Sequence, residues 1–442
     1  MGASRQAGAG TLAAYGLLGL PLAALGLPLV VYLPPFYAEM PALSTGLVGG
    51  LLLAARLVDV VSDPLIGWLS DRTGSRHGRR RPWIALGTPV LMAAAWFLFV
   101  PGGDAGAGAA YLLGWSVAAY LGWTLIYLPY TTLGAELSAD YDRRSRITAV
   151  REGFFVLGTM VAIMLPAAVQ RGTGEAADGL AAIAVFLLVS LPVAALWLLW
   201  RVPEPRHPPR RGGDWRRGLA LLAGNGPFRR LLAAYLFNGA ANGLPAALFL
   251  FFVIHVLGGD RVAGGIFLAI YFLSAVAGLP LWLRLGRDWA KHRLWCASMI
   301  WAALVFAFAP FLGEGDYLAY GLICVLAGTC LGIDQAIPAS IQADVVDEDT
   351  AAGGEGRAGL YFGLWGMATK LAFALAVGVA YPVLEVAGFE AGADNDPAAL
   401  WTLALLYGGL PVVVKLGVVA LMWRFPLDRA RHAELQRRIG RN

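Results

Sequence analysis

Long apolar stretches, separated by short polar segments, follow one another along almost the whole chain. An α-helix needs about 20 apolar residues to cross the hydrocarbon core of a bilayer, and these stretches reach that length. The pattern predicts twelve spanning helices, at residues 11–33, 44–70, 82–101, 109–137, 147–170, 180–201, 227–255, 262–284, 293–312, 316–340, 358–387 and 398–424. We therefore expect an all-α membrane protein, and we number these predicted helices 1 to 12.

The chain also carries signs of an internal division. The segment from Val202 to Asp214 is rich in Pro and Arg and has no apolar periodicity, which is typical of an exposed linker. A Pro-Leu pair followed by a basic loop ends both helix 2, at Pro64, and helix 8, at Pro280. We predict an N-terminal six-helix half (1–201), a cytoplasmic linker (202–226), a C-terminal six-helix half (227–424) and a cytoplasmic tail (425–442). Two related halves with substrate at their interface are the arrangement of the major facilitator superfamily.

Composition and charge agree with a membrane protein and restrict its partners. Apolar residues make up 58% of the chain and charged residues 14%, which excludes an ordinary soluble domain. The net charge of +5 comes from Arg and Lys in alternate short loops, which places both termini in the cytoplasm and does not indicate nucleic acid. The three cysteines lie in apolar stretches without CxxC spacing, so we assign them to packing. We expect a monomer in the lipid of a bacterial cytoplasmic membrane.

The candidate chemistry lies in the ionisable residues inside apolar stretches, because such groups are costly there unless they are paired or hydrated. Asp59 and Asp63 in helix 2 are four residues apart, so they share one helical face. Arg56 can neutralise only one of them. The remaining negative charge suits a monovalent cation, with Ser62 as a further oxygen ligand, or a proton. The alternative is a closed structural network of Arg56 with both acids, which would anchor helix 2 to helix 11.

Two basic residues are candidates for coupling and substrate contact. Lys370 in helix 11 needs an acidic partner, and competition with the cation for the helix 2 pair would couple the cation to the inward–outward equilibrium. Lys370 is alternatively a lysine whose amine extends to the cytoplasmic interface. Arg151 near the start of helix 5 is suited to a substrate hydroxyl or phosphate, or to a gate formed with Glu136 or Glu152.

The remaining candidates are aromatic, amide or charged side chains. Aromatic faces and amides suit sugar rings, although membrane proteins also use aromatics for packing. We predict substrate contacts from Trp123, Tyr127, Asn238, Asn242, Tyr361 and Trp365. We predict a cytoplasmic gate that pairs across the halves when the cavity faces outward, formed by Asp71, Asp140, Arg144, Asp347 and Glu348. The G-x-G-x-x-G match at 354–359 follows no predicted strand, and the sequence has no HExxH or GxSxG, so we expect neither dinucleotide binding nor an enzyme.

The segment from Arg56 to Trp83 closely resembles the glycoside–pentoside–hexuronide:cation symporters, the melibiose-carrier-like branch of the major facilitator superfamily. The similarity extends along essentially the whole chain through Leu128-Pro129-Tyr130, Ala135-Glu136-Leu137, Ala343-Asp344-Val345-Val346-Asp347 and Gly359-Leu360-Tyr361-Phe362-Gly363. The resemblance implies that Asp59, Ser62, Asp63 and Thr124 bind Na⁺, Li⁺ or H⁺. It also implies that Lys370 and Arg151 occupy functional positions. We expect no cofactor besides the coupling ion.

The sequence departs from this family at the sugar site. Sugar-transporting members hold the sugar with carboxylates on helices 1 and 4, where this chain has Ala23 and Tyr127. Ser62 replaces an amide that is usual in the sodium-binding pattern. The sequence is therefore compatible with either Na⁺ or H⁺ as the coupling ion. The fold and the helix 2 acids also resemble animal sodium-dependent lysophospholipid carriers. We expect a cation-coupled symporter of a glycoside or other small polar solute; the alternatives are a cation-coupled carrier of an amphiphile such as a lysophospholipid, and a non-transporting receptor or scaffold.

Overall fold

The computed structural model describes residues 9–76, 78–102, 108–137, 141–173, 176–204, 224–351 and 358–426. Within these ranges, twelve helical spans are long and apolar enough to cross a membrane, which confirms the predicted all-α fold. The helices are α1 (Ala9–Leu17 and Gly19–Val31), α2 (Thr45–Arg72), α3 (Arg81–Phe99), α4 (Ala109–Glu136), α5 (Tyr141–Thr173), α6 (Ala176–Arg201), α7 (Gly226–Phe251), α8 (Arg261–Leu285), α9 (Lys291–Phe306), α10 (Tyr317–Gly328 and Leu331–Ala351), α11 (Ala358–Val386) and α12 (Pro397–Ala404 and Leu410–Met422).

Polar side chains fix where several of these helices begin. The first amides of a helix have no partner within it, so a side-chain oxygen just before the helix stabilises them. Ser44 accepts a hydrogen bond from the Leu47 amide at the start of α2. Asn225 and Asp260 play the same part at the starts of α7 and α8. The sequence thus sets helix ends as well as apolar lengths.

The chain divides into two compact units, Met1–Arg211 and Gly212–Asn442. In the first unit α1 packs on α5, α2 on α4 and α3 on α6; in the second, α7 packs on α11, α8 on α10 and α9 on α12. The same pairing of equivalent helices indicates two related six-helix halves. The predicted linker limits, 202–226, stay a prediction, because residues 205–223 lie outside the described ranges.

The contact of α1 with α5 depends on a glycine. A Cβ atom at Gly158 of α5 would overlap the Leu20 carbonyl oxygen and would lie 2.9 Å from the Cβ of Ala23 on α1. Small residues allow such close helix approach in membranes. Ala23, which replaces one of the two expected sugar-binding carboxylates, is therefore buried against α5.

The basic loop after α2 is tied to the end of α6. The Glu204 carboxylate accepts hydrogen bonds from the backbone amides of Arg79 and Arg80, at 2.6 and 2.7 Å, and from that of Arg81 at 3.2 Å. Gly78 has φ +108°, in the left-handed region that favours glycine, and a Cβ atom there would overlap the Glu204 carboxylate. A carboxylate at the start of a helix is favourable both as a cap and through the helix dipole. Glu204 therefore fixes the start of α3.

Candidate functional site

Three of the four residues predicted to bind a cation meet between α2 and α4. The Thr124 hydroxyl oxygen lies 2.9 Å from Asp59 Oδ1 and 2.7 Å from Asp63 Oδ1. Asp59 and Thr124 are almost fully buried, with 2% and 1% of their surface exposed, and Asp63 is half-buried. Two carboxylates from one helical face thus converge on one hydroxyl of the neighbouring helix.

The two oxygen–oxygen contacts of the Thr124 hydroxyl share a single proton. A threonine hydroxyl carries a single proton, so it donates to only one of the two carboxylates at a time. The other short oxygen–oxygen contact is favourable when a proton or a metal cation lies between the oxygens. The geometry therefore suits the two ions that the sequence left open, H⁺ and Na⁺.

Arg56 and Ser62, which also belong to α2, both contact Asp59. Arg56 Nη1 lies 3.3 Å from Asp59 Oδ2, and its guanidinium carbon lies 4.0 Å from the centre of the Tyr120 ring. Ser62 donates to the backbone oxygen of Asp59 at 3.0 Å. Arg56 therefore pairs with Asp59, and Asp59 and Asp63 offer carboxylate oxygens that suit a monovalent cation.

An aromatic surface lies next to the acidic group. Trp123 and Tyr127 of α4 stack with ring centres 5.8 Å apart, and Phe155 of α5 meets Tyr127 edge-on at 6.2 Å. Trp123 also covers Gly26 of α1, where a Cβ atom would lie 3.3 Å from the indole. The position of the second expected sugar-binding carboxylate, Tyr127, is thus part of an apolar wall.

Arg151 forms an ion pair with its neighbour. Its Nη2 and Nε atoms lie 2.6 and 3.1 Å from one carboxylate oxygen of Glu152. Of the interactions proposed for Arg151 from the sequence, this is the one that the described residues contain. The side chain of Glu136, the other suggested partner, lies outside them.

The second half contains a buried polar group, which we call the Asp334 cluster: Asp334, Lys415, Trp295, Asn238 and Asn242. The two asparagines are among the predicted substrate contacts, whereas Asp334, Lys415 and Trp295 were not predicted. Asp334 Oδ1 accepts from Asn238 at 2.8 Å and from the Trp295 indole at 2.6 Å, and Oδ2 accepts from Asn242 at 2.6 Å. Lys415 donates to Asn238 Oδ1 at 2.9 Å and lies 3.7 Å from Asp334 Oδ2. Asp334 and Lys415 are charged residues in apolar stretches, and the rule that singled out Asp59 applies equally to them.

The aromatic candidates on α11 differ in their surroundings. Trp365 stacks on Tyr235 of α7 with ring centres 3.7 Å apart, and the Tyr235 hydroxyl lies 3.0 Å from that of Thr369. Tyr361 is fully buried, packs edge-on against Phe228, and its hydroxyl accepts a hydrogen bond from the Asn225 amide. Tyr361 thus belongs to the packed core where α7 and α11 meet.

The coupling and gating residues remain predictions. Lys370 is half-buried on α11, in the second unit, whereas Asp59 and Asp63 belong to the first. Glu348 is half-buried on α10. The side chains of the other gate residues lie outside the described part of the chain: Asp71, Asp140, Arg144 and Asp347.

Two repeated six-helix halves with ionisable groups buried in their helices define a secondary transporter of the major facilitator type. The profile of the MFS/sugar transport protein family matches residues 14–429. The chain belongs to this family, which confirms the superfamily predicted from its sequence.

Individual relatives are symporters by name. The sodium-dependent lysophosphatidylcholine symporter 1-A of Danio rerio is 26% identical, over 94% of this chain and 85% of its own length. The human sodium-dependent lysophosphatidylcholine symporter 1 is 25% identical, over 87% and 77%. A protein of Escherichia coli K12, named as a candidate glycoside/cation symporter, is 25% identical over 91% and 89%.

Solved structures share the fold. A bacterial homologue of the human lysosomal transporter Spinster, inward-facing and unoccupied, superposes with a TM-score of 0.68 at 13% identity, covering 98% of this chain and 97% of its own. The nucleoside transporter NupG gives a TM-score of 0.67 at 15% identity, covering 93% and 99%. At these identities the likeness concerns the fold alone.

Proposed function

We propose that this protein is a symporter that moves an organic solute together with Na⁺ or H⁺ across a bacterial cytoplasmic membrane by alternating access. The observation that carries the proposal is the contact of Asp59 and Asp63 with the single hydroxyl of Thr124. A monovalent cation between these side chains would be held by oxygens of Asp59, Asp63 and Thr124.

The leading solute is a glycoside or another small polar molecule. In the first half, Trp123 and Tyr127 offer stacked ring faces. In the second half, taken by itself, Asn242 offers an amide and Trp365 a ring. The name of the E. coli relative supports this class. No catalytic reaction is part of the proposal, and the coupling ion is its only cofactor.

A second candidate solute is an amphiphile such as a lysophospholipid. Ala23 is buried against α5, and Tyr127 packs between Trp123 and Phe155, so the two positions expected to hold sugar-binding carboxylates are apolar or aromatic. An apolar wall accepts an acyl chain more readily than a sugar. The lysophosphatidylcholine symporters among the relatives support this alternative.

The test is uptake by the purified protein in proteoliposomes. The probes are p-nitrophenyl glucoside and oleoyl lysophosphatidylcholine, each supplied with an inward Na⁺ gradient, an inward H⁺ gradient or neither. We expect one gradient to drive accumulation of one probe. Asp59→Asn and Asp63→Asn abolish the accumulation, whereas Asp288→Asn, a change of an exposed carboxylate outside the group, does not.

Two results would contradict the proposal. Uptake that neither gradient changes would remove the coupling. Binding of a probe without transport, left intact by Asp59→Asn and by Lys370→Ala, would instead support a receptor or scaffold.

We also infer the orientation and state in the membrane. The excess of Arg and Lys in alternate loops supports cytoplasmic termini. Green fluorescent protein fused after Asn442 will fluoresce in that orientation, and alkaline phosphatase at the same point will be inactive. We expect a monomer embedded in lipid, which mass photometry of the protein in nanodiscs checks.

A further inference from the structure

We propose that Asp334 is a positioning residue: it holds the side-chain amide of Asn242 so that the amide oxygen accepts a hydrogen bond from a hydroxyl or ammonium group of the transported solute. This inference rests on the proposed transport function. It names the kind of group that the second half recognises.

The charge of Asp334 is already compensated. Lys415 lies 3.7 Å from Oδ2, and the two oxygens accept from Asn238, Trp295 and Asn242. Breaking a buried pair on one side is strongly destabilising, whereas a complete network is rigid. One carboxylate thus faces one ammonium group, and the Asp334 cluster needs no cation from outside.

The cluster fixes the two asparagines differently. Asn238 is 2% exposed and is held at both ends, since its NH₂ group donates to Asp334 and its oxygen accepts from Lys415. Asn242 lies one helical turn further along α7 and is half-buried. Its NH₂ group donates to Asp334 Oδ2 at 2.6 Å, and within the described ranges its oxygen has no hydrogen-bond donor.

This arrangement sets the chemistry that Asn242 presents. A carboxylate accepts and cannot donate, so the Asn242 amide must turn its NH₂ group toward Asp334 and its oxygen away. The oxygen accepts from a donor group only. Sugar hydroxyls and the glycerol hydroxyl of a lysolipid share that donor chemistry.

The discriminating experiment replaces the carboxylate with an amide. In Asp334→Asn combined with Lys415→Met, the cluster stays neutral but position 334 keeps only one acceptor oxygen, which Asn238 and Trp295 already use. The new NH₂ group at position 334 then faces Asn242. The Asn242 amide therefore rotates so that its oxygen accepts from position 334 and its NH₂ group is turned toward the solute. Asn242→Leu, which leaves Asp334 with Asn238, Trp295 and Lys415, removes the acceptor directly.

The readout compares each probe with an analogue whose hydroxyl is replaced by fluorine, which accepts a hydrogen bond but cannot donate one. The probes are p-nitrophenyl glucoside with its monodeoxyfluoro series, and oleoyl lysophosphatidylcholine with its 2-deoxy-2-fluoro analogue. The probe that is transported identifies the source of the hydroxyl. In the wild-type protein one fluoro analogue should have a KM about ten-fold above that of the parent.

In both variants the KM of the parent probe should rise toward that of its fluoro analogue, so that the KM ratio falls toward one. A wild-type ratio in both variants would overturn the inference. Loss of the ratio in Asn242→Leu alone would also overturn it, because Asn242 would then act without Asp334. Uptake without a cation requirement would count against the proposed coupling only, since the ratio stays measurable.

Discussion

At the scale of single residues, the acidic pair depends on the hydroxyl of Thr124, which lies within 2.9 Å of both carboxylates. Thr124→Val keeps the shape but removes the hydroxyl, so we expect the cation concentration for half-maximal uptake to rise about ten-fold or more, as for loss of a hydrogen bond to a charged group. Thr124→Ser keeps the hydroxyl and should stay near the wild type. Uptake rates against Na⁺ concentration or pH measure the effect, and equal values for the two variants would argue against a ligand role.

The residues of the two buried groups were not equally predictable from the sequence. Asp59 and Asp63 were found because their spacing places them on one helical face. Thr124 is an ordinary polar residue in an apolar helix, and only the family resemblance indicated that it is a cation ligand. Asp334 and Lys415 carried the same signal as Asp59, a charge in an apolar stretch. The engagement of Asn238 depends on Lys415 of α12, a contact between residues 177 positions apart that no local pattern reveals.

At the scale of the helices, the packing of α1 on α5 limits what Gly158 can become. We expect Gly158→Ala to destabilise the detergent-solubilised protein by about 1–3 kcal/mol, because the new methyl group overlaps the Leu20 carbonyl. Gly153→Ala is the matched control on the same helix, since a Cβ atom there meets nothing within 4 Å. Thermal unfolding measures both, and a Tm for Gly158→Ala as high as that of the control would contradict the packing.

The cap at the start of α3 provides a second test at this scale. Glu204→Ala leaves the amides of Arg79, Arg80 and Arg81 without the carboxylate, so we expect a loss of about 1–2 kcal/mol in the free energy of unfolding. Glu385→Ala removes an exposed carboxylate from the end of α11 and serves as the control. If the two variants unfold at the same temperature, Glu204 does not act as a cap.

Helix number was easier to predict than helix ends. Apolar length gave all twelve spans, but the prediction began helix 5 at residue 147, whereas α5 is helical from Tyr141. Residues 141–146 are polar and charged, so the hydropathy pattern does not reveal them as part of the helix, although the helix includes them. The role of Glu204 was also missed, because its partners lie more than 120 positions away.

At the scale of the whole molecule, the sequence showed the internal repeat only faintly, through prolines and basic loops. The repeat is plain in the structure, where equivalent helices pair in the same way within each half. Pairing of helices arises from packing surfaces distributed over many residues, and these surfaces are not visible as motifs. The two halves share an architecture and differ in their buried polar groups: the first has two carboxylates that converge on Thr124, and the second has the Asp334 cluster.

Cation binding at Asp59 and Asp63 has an electrical consequence. Moving one elementary charge through 100 mV changes the free energy by about 2.3 kcal/mol. Loading adds one positive charge to the protein; we predict that the loaded form crosses without net charge and the unloaded form with one negative charge, so that an inside-negative voltage accelerates the outward return of the unloaded protein. Net uptake into liposomes clamped with valinomycin should therefore rise with voltage, while exchange of labelled for unlabelled solute, which needs only the loaded form, should not. Equal voltage sensitivity of net uptake and exchange would mean that charge moves in the loaded step.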